Sequence, residues 1–301
     1  MTIHTATMLA AVDGSESSTR ALRWAAREAG RRHCALRVVT VHPWPVTGYP
    51  EALVAAGQLH DGLRTQSREI LRAAQAVAAE TAPEVPVSTE VLEGDVVPRL
   101  RAAAADAVLT VLGSRGLGGF SGLLLGSVAV GLAAHATHPV VVVRGDERDE
   151  DRRVVAGVDG SAADEAVLGF AFAHAAATGG VLTVAHAWGD FAVDGLRLGA
   201  YPPMDWTPVA EYAEHVVSTA VAPWRDKYPA VTVEKVVSRG WPAALLLERS
   251  HHAGLVVVGS RGRGNLAGLL LGSTSHALIH HCACPVAVVR PDTTTDQEVH
   301  P

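Results

Sequence analysis

The feature that most constrains the fold is an internal repeat. Residues 113–127 read GSRGLGGFSGLLLGS, and residues 259–273 read GSRGRGNLAGLLLGS, which is 146 positions later and identical at 11 of 15 positions. The same offset relates MLAAVDGS at 8–15 to VVAGVDGS at 154–161. An internal repeat of this length constrains the architecture more strongly than any local pattern of residues. The sequence therefore predicts one module that occurs twice.

Charged and polar segments indicate where the two copies begin and end. We expect a first domain over 1–145, a second over 152–291 and a polar tail over 292–301. The segment GDERDEDRR at 145–153 lies between the domains, and runs of charge favour a solvated linker.

Apolar runs of strand length alternate with helical segments in each copy. The runs are TMLAAV, LRVVTV, VSTEVL, AVLTVL and VVVV in the first copy, and VVAGV, VLTVAH, VTVEKVV, LVVVG and VAVV in the second. Helices are predicted over 17–32, about 60–80, 97–106 and 127–137, with counterparts in the second copy. Runs that stay apolar at successive positions indicate strands buried on both faces, as in a parallel sheet covered by helices. The sequence thus predicts an α/β protein of two tandem, doubly wound, Rossmann-like domains.

Composition narrows the classes of function. A formal net charge of −6 provides no basic field for a nucleic-acid backbone, so no nucleic-acid partner is expected. No apolar stretch reaches the roughly 18 residues that cross a membrane, and the N-terminus lacks the basic leader of a signal peptide. The three cysteines, Cys34, Cys282 and Cys284, are too few for a disulfide framework. We therefore expect a cytoplasmic protein.

The repeated segment has the parts of an anion site. In each copy it follows a predicted strand, is rich in glycine and ends in Gly-Ser before a helical run. Glycine lets a backbone approach a ligand closely, and Ser127 is expected to be the N-cap of a helix whose free N–H groups favour phosphate. The alternative is that the glycines serve only tight turns and helix packing. No lysine follows them, so the segment is not a Walker A motif, and the first strand ends in DGS instead of a dinucleotide fingerprint.

The glycine spacing resembles a known family. The pattern G-x2-G-x9-G-S occurs in both halves, at Gly113, Gly116, Gly126 and Ser127 and again at Gly259, Gly262, Gly272 and Ser273. With DGS after the first strand, it resembles the ATP-binding branch of the universal stress proteins. The resemblance implies a five-stranded parallel sheet in each domain, as in the universal stress protein and adenine nucleotide α-hydrolase class. It also implies ATP as the ligand of each domain, with Mg²⁺ as a candidate companion ion.

The resemblance also implies a set of contact residues. It places the adenine near Asp13 and the backbone of Val41, and the ribose and phosphates beside the glycine motif. The first-domain residues along the ribose and phosphates are Leu112, Gly113, Arg115, Gly116, Gly126, Ser127, Val128 and Ala129. The second-domain set is Asp159, Ala185, Val258, Gly259, Arg261, Gly262, Gly272, Ser273, Thr274 and Ser275.

Two features of the second set distinguish it from the first. Ala185 is matched to Val41 because VHPW at 41–44 resembles AHAW at 185–188, and this spacing of 144 predicts a two-residue change in length. Thr274 replaces a valine and Ser275 an alanine, adding hydroxyls suited to phosphate or Mg²⁺. The two sites are therefore expected to differ in affinity.

Plainer alternatives exist for several candidates. Asp13 and Asp159 could bond only the backbone N–H groups of their own DGS turns. Arg115 and Arg261 suit a phosphate clamp, yet exposed loop arginines without a ligand fit the sequence as well. HHCAC at 280–284 has metal-ligand residue types, but its spacing matches no zinc pattern, so buried small residues are preferred and no metal ligand is assigned.

The resemblance implies an ATP-binding stress-response regulator that acts through ligand-dependent conformation or partner binding. Because no nucleophile elbow or Ser/His/Asp set is recognisable, we expect no enzyme. The alternatives are a slow ATPase or adenylate-transferring enzyme of the same α/β group, and a scaffold that has lost its nucleotide.

The resemblance also implies pairing through the last strands, here PVVVVR at 139–144 and PVAVVR at 285–290. An internal pseudo-dimer and a further homodimer are expected, because a hydrophobic edge needs cover. The loop between Gly116 and Gly126 is expected to order on ligation. The long segments 43–59 and 188–207 are candidates for a lid or for contact with an unknown protein partner.

Overall fold

A computed structural model describes residues 6–42, 53–116, 126–145, 152–189, 205–263 and 270–291. The chain divides into two compact units, Met1–Glu147 and Arg148–Pro301. In each unit, five strands run parallel and helices connect them.

Strands and helices alternate in the first unit. Its strands occur in the sheet order β3-β2-β1-β4-β5. The order reverses between β1 and β4, so the loops after these two strands lie side by side at the carboxyl edge, where doubly wound sheets bind ligands. The strands are β1 (Thr7–Ala11), β2 (Ala35–His42), β3 (Val87–Glu93), β4 (Ala107–Gly113) and β5 (Val140–Val143), and the helices are α1 (Glu16–Arg32), α2 (Leu53–Thr81), α3 (Val96–Ala103) and α4 (Ser127–His135).

The second unit repeats this arrangement. Its sheet order is β8-β7-β6-β9-β10, with the reversal between β6 and β9. The predicted doubly wound, five-stranded parallel architecture is confirmed in both halves. The strands are β6 (Val154–Gly157), β7 (Val181–Trp188), β8 (Thr232–Arg239), β9 (Leu255–Gly259) and β10 (Val286–Val289), and the helices are α5 (Ala163–Thr178), α6 (Thr207–Lys227), α7 (Pro242–Ser250) and α8 (Ser273–His281).

The last strand of each unit is buried along its whole length. All four residues of β5 and all four of β10 are buried, and their sequences VVVV and VAVV contain no polar residue. Burying one valine or leucine side chain contributes about 1.5–3 kcal/mol to folding. By contrast, β3 and β8 expose several residues and carry charged side chains, which suits strands that are covered less completely.

Backbone hydrogen bonds correct one part of the predicted alignment. Val39 O accepts from Val12 N in the first unit, and Ala185 O accepts from Val158 N in the second. Because Val158 follows Val12 by 146 positions, Ala185 occupies the position of Val39 and not that of Val41. The likeness of VHPW to AHAW is therefore not a structural match, and the two-residue change in length predicted from it is wrong.

The offset of 146 also holds at the ends of β2 and β7. His42 O accepts from Gly94 N, and Trp188 O accepts from Gly240 N. Trp188 is thus the structural counterpart of His42. Ala187, the residue before Trp188, is the position that should have been paired with the predicted adenine contact in β2.

Candidate functional site

The turn after β1 is built by its own side chains. Asp13 Oδ1 accepts from Ser15 N at 3.0 Å, and Gly14 between them has a φ of +85°. Ser15 then caps α1, because its Oγ accepts from Ser18 N at 3.1 Å. One oxygen of Asp13 therefore has the plainer role considered for it, which is to hold the DGS turn.

The second oxygen of this aspartate lies against the glycine loop. A Cβ added to Gly116 would stand 2.5 Å from Asp13 Oδ2. A Cβ on Gly262 would clash in the same way with Asp159 Oδ2, which also accepts from Arg263 N at 2.8 Å. In both domains the loop after the fourth strand can approach the carboxylate this closely only because it has no side chain at this position.

The first glycine of the motif is required by helix packing. A Cβ on Gly113 would lie 2.6 Å from Ser17 Oγ and 2.7 Å from the Ser17 carbonyl carbon, in the first turn of α1. A Cβ on Gly259 would stand 3.0 Å from Arg261 O and 3.1 Å from Ala163 Cβ. The close-packing alternative thus accounts for Gly113 and, with less crowding, for its counterpart.

The last glycine of the motif is the helix N-cap, one residue before the predicted one. Gly126 has φ −77° and ψ 140°, whereas Ser127 is already the first helical residue of α4. The prediction that Ser127 is the N-cap is therefore wrong, because the extended residue that precedes the helix is the glycine. Gly272 and Ser273 repeat this geometry at α8, and neither helix has a side-chain cap.

Neither N-cap glycine is required by its own backbone. Both have negative φ, and an added Cβ would come no closer than 3.7 Å at Gly126 and 3.4 Å at Gly272. Their N–H groups donate to Ser114 O and Ser260 O, which ties the end of the loop to its start. A glycine that neither turn nor packing requires leaves space open at an uncapped helix N-terminus.

The remaining residues predicted for the first domain lie along the same sheet edge. Val41 and Leu112 belong to strands, and Val128 and Ala129 lie in the first turn of α4. Arg115 is an exposed loop residue whose N–H donates to Ser17 Oγ at 3.3 Å.

The second domain contains a cavity of about 460 Å³ at the carboxyl ends of β6, β7 and β9. This volume falls within the range of small-molecule and cofactor sites. Every residue predicted for this domain lines the cavity, namely Asp159, Ala185, Val258, Gly259, Arg261, Gly262, Gly272, Ser273, Thr274 and Ser275.

The cavity also has walls that the sequence reasoning missed. Trp188 and Ala187 line it from β7, and Pro242, Leu245 and Leu246 line it from α7. The run WPAALLL was a visible signal, because its apolar residues precede the strand that carries the glycine motif. These side chains add apolar surface to the lining of the cavity.

A buried carboxylate lies at the start of α5 beside this cavity. Asp164 accepts from Asp159 N at 3.1 Å and from Gly160 N at 2.7 Å. Burial raises the pKa of Asp164 above its usual value, although these two N–H bonds act in the opposite direction. The first domain has Ser18 at this position, whose hydroxyl accepts from Asp13 N at 3.3 Å.

The two hydroxyl residues at the start of α8 differ in how far they are engaged. Ser275 is buried, and its Oγ donates to Gly259 O at 2.5 Å, so its proton is already committed within the protein. Thr274 is half-buried and lines the cavity. Of the two hydroxyls predicted to reach a phosphate, Thr274 is the one whose proton has no such bond among the described contacts.

Metal-ligating residue types come together at a place that sequence reasoning missed. Cys282 and Cys284 of HHCAC are buried, with their sulfurs 3.8 Å apart. Within the described ranges, the group whose ligand atoms could hold a metal ion is instead His42, His60 and Glu93. These residues come from β2, α2 and β3, so no local spacing in the sequence reveals them.

Several expectations fall outside the described residues. The loop predicted to order on ligation includes 117–125, and the long segments 43–59 and 188–207 include 43–52 and 190–204. A search of the helices in the described ranges found none with the length and hydropathy needed to cross a membrane.

Comparisons with known proteins follow the division into two halves. The universal stress protein family matches residues 5–144 and again residues 151–290. Universal stress protein Rv1996 of Mycobacterium tuberculosis is 38% identical over 296 residues, which cover 93% of each chain. Universal stress protein Rv2623 of the same organism is 35% identical over 294 residues, which cover 95% of this chain and 97% of the relative.

The solved structures agree in fold. A universal stress protein from Archaeoglobus fulgidus superposes with a TM-score of 0.69 at 24% identity. The superposition covers 96% of this chain and 100% of that one. At this level of identity the likeness concerns the arrangement of strands and helices.

Proposed function

This chain belongs to the universal stress protein family and so has a role in the stress response, and on that premise we propose that it is a regulator that binds ATP in each domain. The observation that carries the proposal is the cavity of about 460 Å³ in the second domain. Its lining combines an uncapped helix N-terminus with apolar side chains from β7 and α7. An adenine nucleotide has this same division between an anionic end and an apolar ring.

The phosphates bind at the start of α8. The first N–H groups of a helix have no partner within it, and its dipole favours negative charge there, by about 0.3–1 kcal/mol for each interaction. Gly272 leaves the approach open, and Thr274 lines it. Arg261 and Arg263 are exposed beside it, so their guanidinium groups are free to turn towards phosphate oxygens.

The adenine binds against the apolar wall. Trp188 provides an aromatic face, and Leu245 and Leu246 of α7 add apolar side chains to the lining. Ala187 is the counterpart of Val41 in the sheet register and takes its role as adenine contact in this proposal. The first domain binds its nucleotide at the matching edge, beside Asp13, Val41 and the start of α4.

Mg²⁺ enters with the nucleotide in this proposal. Magnesium prefers oxygen ligands and commonly combines one or two protein groups with substrate phosphates. Asp159 and Thr274 offer such oxygens at the cavity. The ion supplies charge neutralisation between phosphates, and the chain's own residues orient the ligand.

Binding, and not turnover, is the proposed activity. Two candidate bases in the cavity already have structural partners, because His186 Nδ1 contacts Val158 O at 2.8 Å and Asp164 accepts two backbone N–H groups. A regulator needs only that the occupied and empty sites differ in what they present to a partner. A cytoplasmic homodimer that signals to a protein partner, without nucleic acid, completes the proposal.

The decisive experiment uses the purified full-length chain. Denaturing it and chromatographing the released small molecules should yield an adenine nucleotide, and calorimetry on emptied protein should find two ATP sites per chain with Mg²⁺ present. The proposal fails if nothing is released and nothing binds at millimolar ATP. Phosphate release well above about one per minute per site would instead favour the enzyme.

A further inference from the structure

Three side chains with metal-binding atoms meet at one corner of the first domain. His42 ends β2, Glu93 ends β3 and lies opposite it in the sheet register, and His60 projects from α2. Glu93 Oε1 is 3.8 Å from Nε2 of each histidine, and all three ligand atoms lie within 4.8 Å of one another. Two imidazoles and one carboxylate from three separate elements thus converge on one point.

His42 gives this cluster a second and independent feature. The residue is 4% exposed, and its Nε2 has no hydrogen-bond partner within the described part of the chain. Its other ring nitrogen, Nδ1, is held by Ser67 Oγ at 3.2 Å. A buried ring nitrogen without a hydrogen bond is costly unless a ligand completes it. Metal-bound histidines usually have the second nitrogen fixed in this way by an oxygen.

The protonation state of His42 agrees with such a role. Burial lowers the pKa of His42 below its usual value, although the carboxylate of Glu93 acts in the opposite direction. A neutral imidazole has a lone pair to offer, whereas an imidazolium does not.

Two of the three ligand distances are close to those of a filled site. Zinc binds nitrogen and oxygen at about 2.0–2.2 Å, so ligand atoms in a tetrahedral site are about 3.3–3.6 Å apart. The two separations of 3.8 Å must therefore shorten by about 0.2–0.5 Å, and the two histidine nitrogens lie within 4.8 Å of each other. His60 and Glu93 are part-exposed, which leaves room for this adjustment and for an open coordination position.

The second domain shows that the fold does not require this corner to contain histidine and glutamate. At the constant offset of 146, the three positions are occupied by Trp188, Trp206 and Arg239. Arg239 lies over the ring of Trp206 at 4.2 Å, and the two tryptophan rings are 6.0 Å apart. The second domain thus has an aromatic and cationic cluster at this corner, and the ligand set is specific to the first domain.

We propose that the first domain binds one divalent transition-metal ion of the Zn²⁺ class through His42 Nε2, His60 Nε2 and the Glu93 carboxylate. Nitrogen and carboxylate donors in this ratio suit zinc and its first-row neighbours better than they suit calcium or magnesium. Ser67 is a positioning residue that fixes the ring of His42.

One nearby cation opposes metal binding and so provides a sharp test. Arg64 Nε is 3.6 Å from Glu93 Oε1, the same oxygen that would ligate the ion, and its side chain is 47% exposed. Arg64→Gln removes a competitor for the carboxylate and a repulsive charge. Metal affinity should therefore rise several-fold in this variant, whereas a cluster that serves only as an ion pair predicts no change in metal affinity.

The experiment titrates Co²⁺ into the chelator-treated full-length chain and follows the d–d absorption, with Zn²⁺ as competitor. One ion per chain should bind, and His60→Gln and Glu93→Gln should each weaken binding at least tenfold. His215→Gln, which removes an exposed histidine of α6, is the control and should change nothing. Circular dichroism and thermal melts establish that each variant is folded.

Two outcomes would overturn the proposal. One is a wild-type titration without a stoichiometric Co²⁺ spectrum. The other is an affinity that stays the same in His60→Gln, Glu93→Gln and Arg64→Gln, which would assign the binding to scattered surface histidines. No nucleotide enters the assay, so its result is independent of ATP binding.

Discussion

The two copies of the repeated domain agree at one place on the sheet and differ at another. Where β1 meets β4, both copies keep the same contact between an aspartate oxygen and a glycine, Asp13 with Gly116 and Asp159 with Gly262. At the corner where β2 meets β3, the first copy has the ligand set His42, His60 and Glu93. The second copy has two tryptophans and an arginine at the same positions. The fold tolerates either chemistry at the corner, whereas the loop edge stays the same.

The difference follows from how each feature is built. At the loop edge there is no room for a side chain, because a Cβ added to Gly116 or Gly262 would stand too close to an aspartate oxygen, so a substitution there must displace that carboxylate. The corner is built from side chains at strand ends, which can be exchanged while the backbone hydrogen bonds of Gly94 and Gly240 remain. Shared function is therefore expected at the loop edge and separate function at the corner.

The largest effect should come from placing a carboxylate at the shared edge. Gly116→Glu puts a side chain onto Asp13 and adds negative charge at the proposed phosphate site, and juxtaposed like charges cost several kcal/mol. ATP affinity of the first domain should fall by about 100-fold or more, whereas the second domain keeps its site. Calorimetry should find one ATP per chain.

Gly262→Glu is the matched control, because it should remove the other site. If either single variant loses both sites while its melting curve remains native, the two domains do not bind independently. The loop edge would then be a coupled feature and not a duplicated one.

The next effect concerns the corner. Glu93→Arg gives the first domain the residue that the second has at this position, and it removes one of three ligands while adding a cation. Co²⁺ affinity should fall by about 100-fold, since even second-shell changes cost 10–100-fold. ATP affinity should change much less than Co²⁺ affinity, because Glu93 is not among the residues proposed to contact the nucleotide.

The reciprocal variant Arg239→Glu should not create a site, because tryptophans occupy the other two positions. A Co²⁺ spectrum that survives Glu93→Arg would remove the distinction between the corners.

A smaller effect separates the glycines of the motif from one another. Gly113→Ala should destabilise folding by about 1–3 kcal/mol, because its Cβ would overlap Ser17 in α1. Gly126→Ala should change the free energy of unfolding by less than about 0.5 kcal/mol, since its Cβ meets only ordinary contacts. The same methyl enters the phosphate space, so ATP affinity should fall about tenfold.

Urea unfolding and calorimetry on both variants measure this contrast. Equal losses of stability would show that both glycines serve packing alone. That result would contradict the interpretation that Gly126 leaves space for the ligand.

The smallest effect is the part of the pH dependence that comes from Asp164, a residue of the second domain. Burial raises the pKa of Asp164 above its unfolded value, so ionisation is harder in the folded state. Its contribution to stability is therefore complete at low pH and is lost as pH rises from the unfolded pKa through the folded one. As the pH rises through this range, the free energy of unfolding of Asp164→Asn should therefore fall less than that of the wild type.

Melting curves between about pH 3.5 and pH 6.5 measure the difference in slope. Ser18→Ala in the first domain is the comparison, and it should leave the slope as it is. A wild-type slope that Asp164→Asn leaves unchanged would contradict the burial argument.

The strands could be predicted closely because their apolar runs leave little choice. The run VVVV at 140–143 coincides with β5, and LVVVG at 255–259 coincides with β9. Helix ends were less certain: α2 begins at Leu53 and not near residue 60, since glycine at position 57 lowers the helix propensity of its first turns. The N-cap was predicted one residue too late. Serine has the stronger N-cap propensity, but the backbone dihedral angles show that Gly126 is the N-cap.

The site was predicted less completely than the fold. The glycine motif is contiguous, so its residues could be found from spacing, and those of the second domain all line one cavity. The pairing of Ala185 with Val41 failed because identity at two of four positions is weaker information than a sheet register. The ligand set of His42, His60 and Glu93 could not be found at all, because only tertiary packing brings β2, α2 and β3 together.

The constant offset of 146 has a practical consequence for protein engineering. Because each strand of the second half ends 146 residues after its counterpart, the number of residues from one strand end to the next is the same in both halves. A chimera that passes from one copy to the other at equivalent positions, for example from Gly94 to residue 241, therefore keeps this spacing. The corner at β2 and β3 can be exchanged between the halves without a change in the number of residues between strand ends.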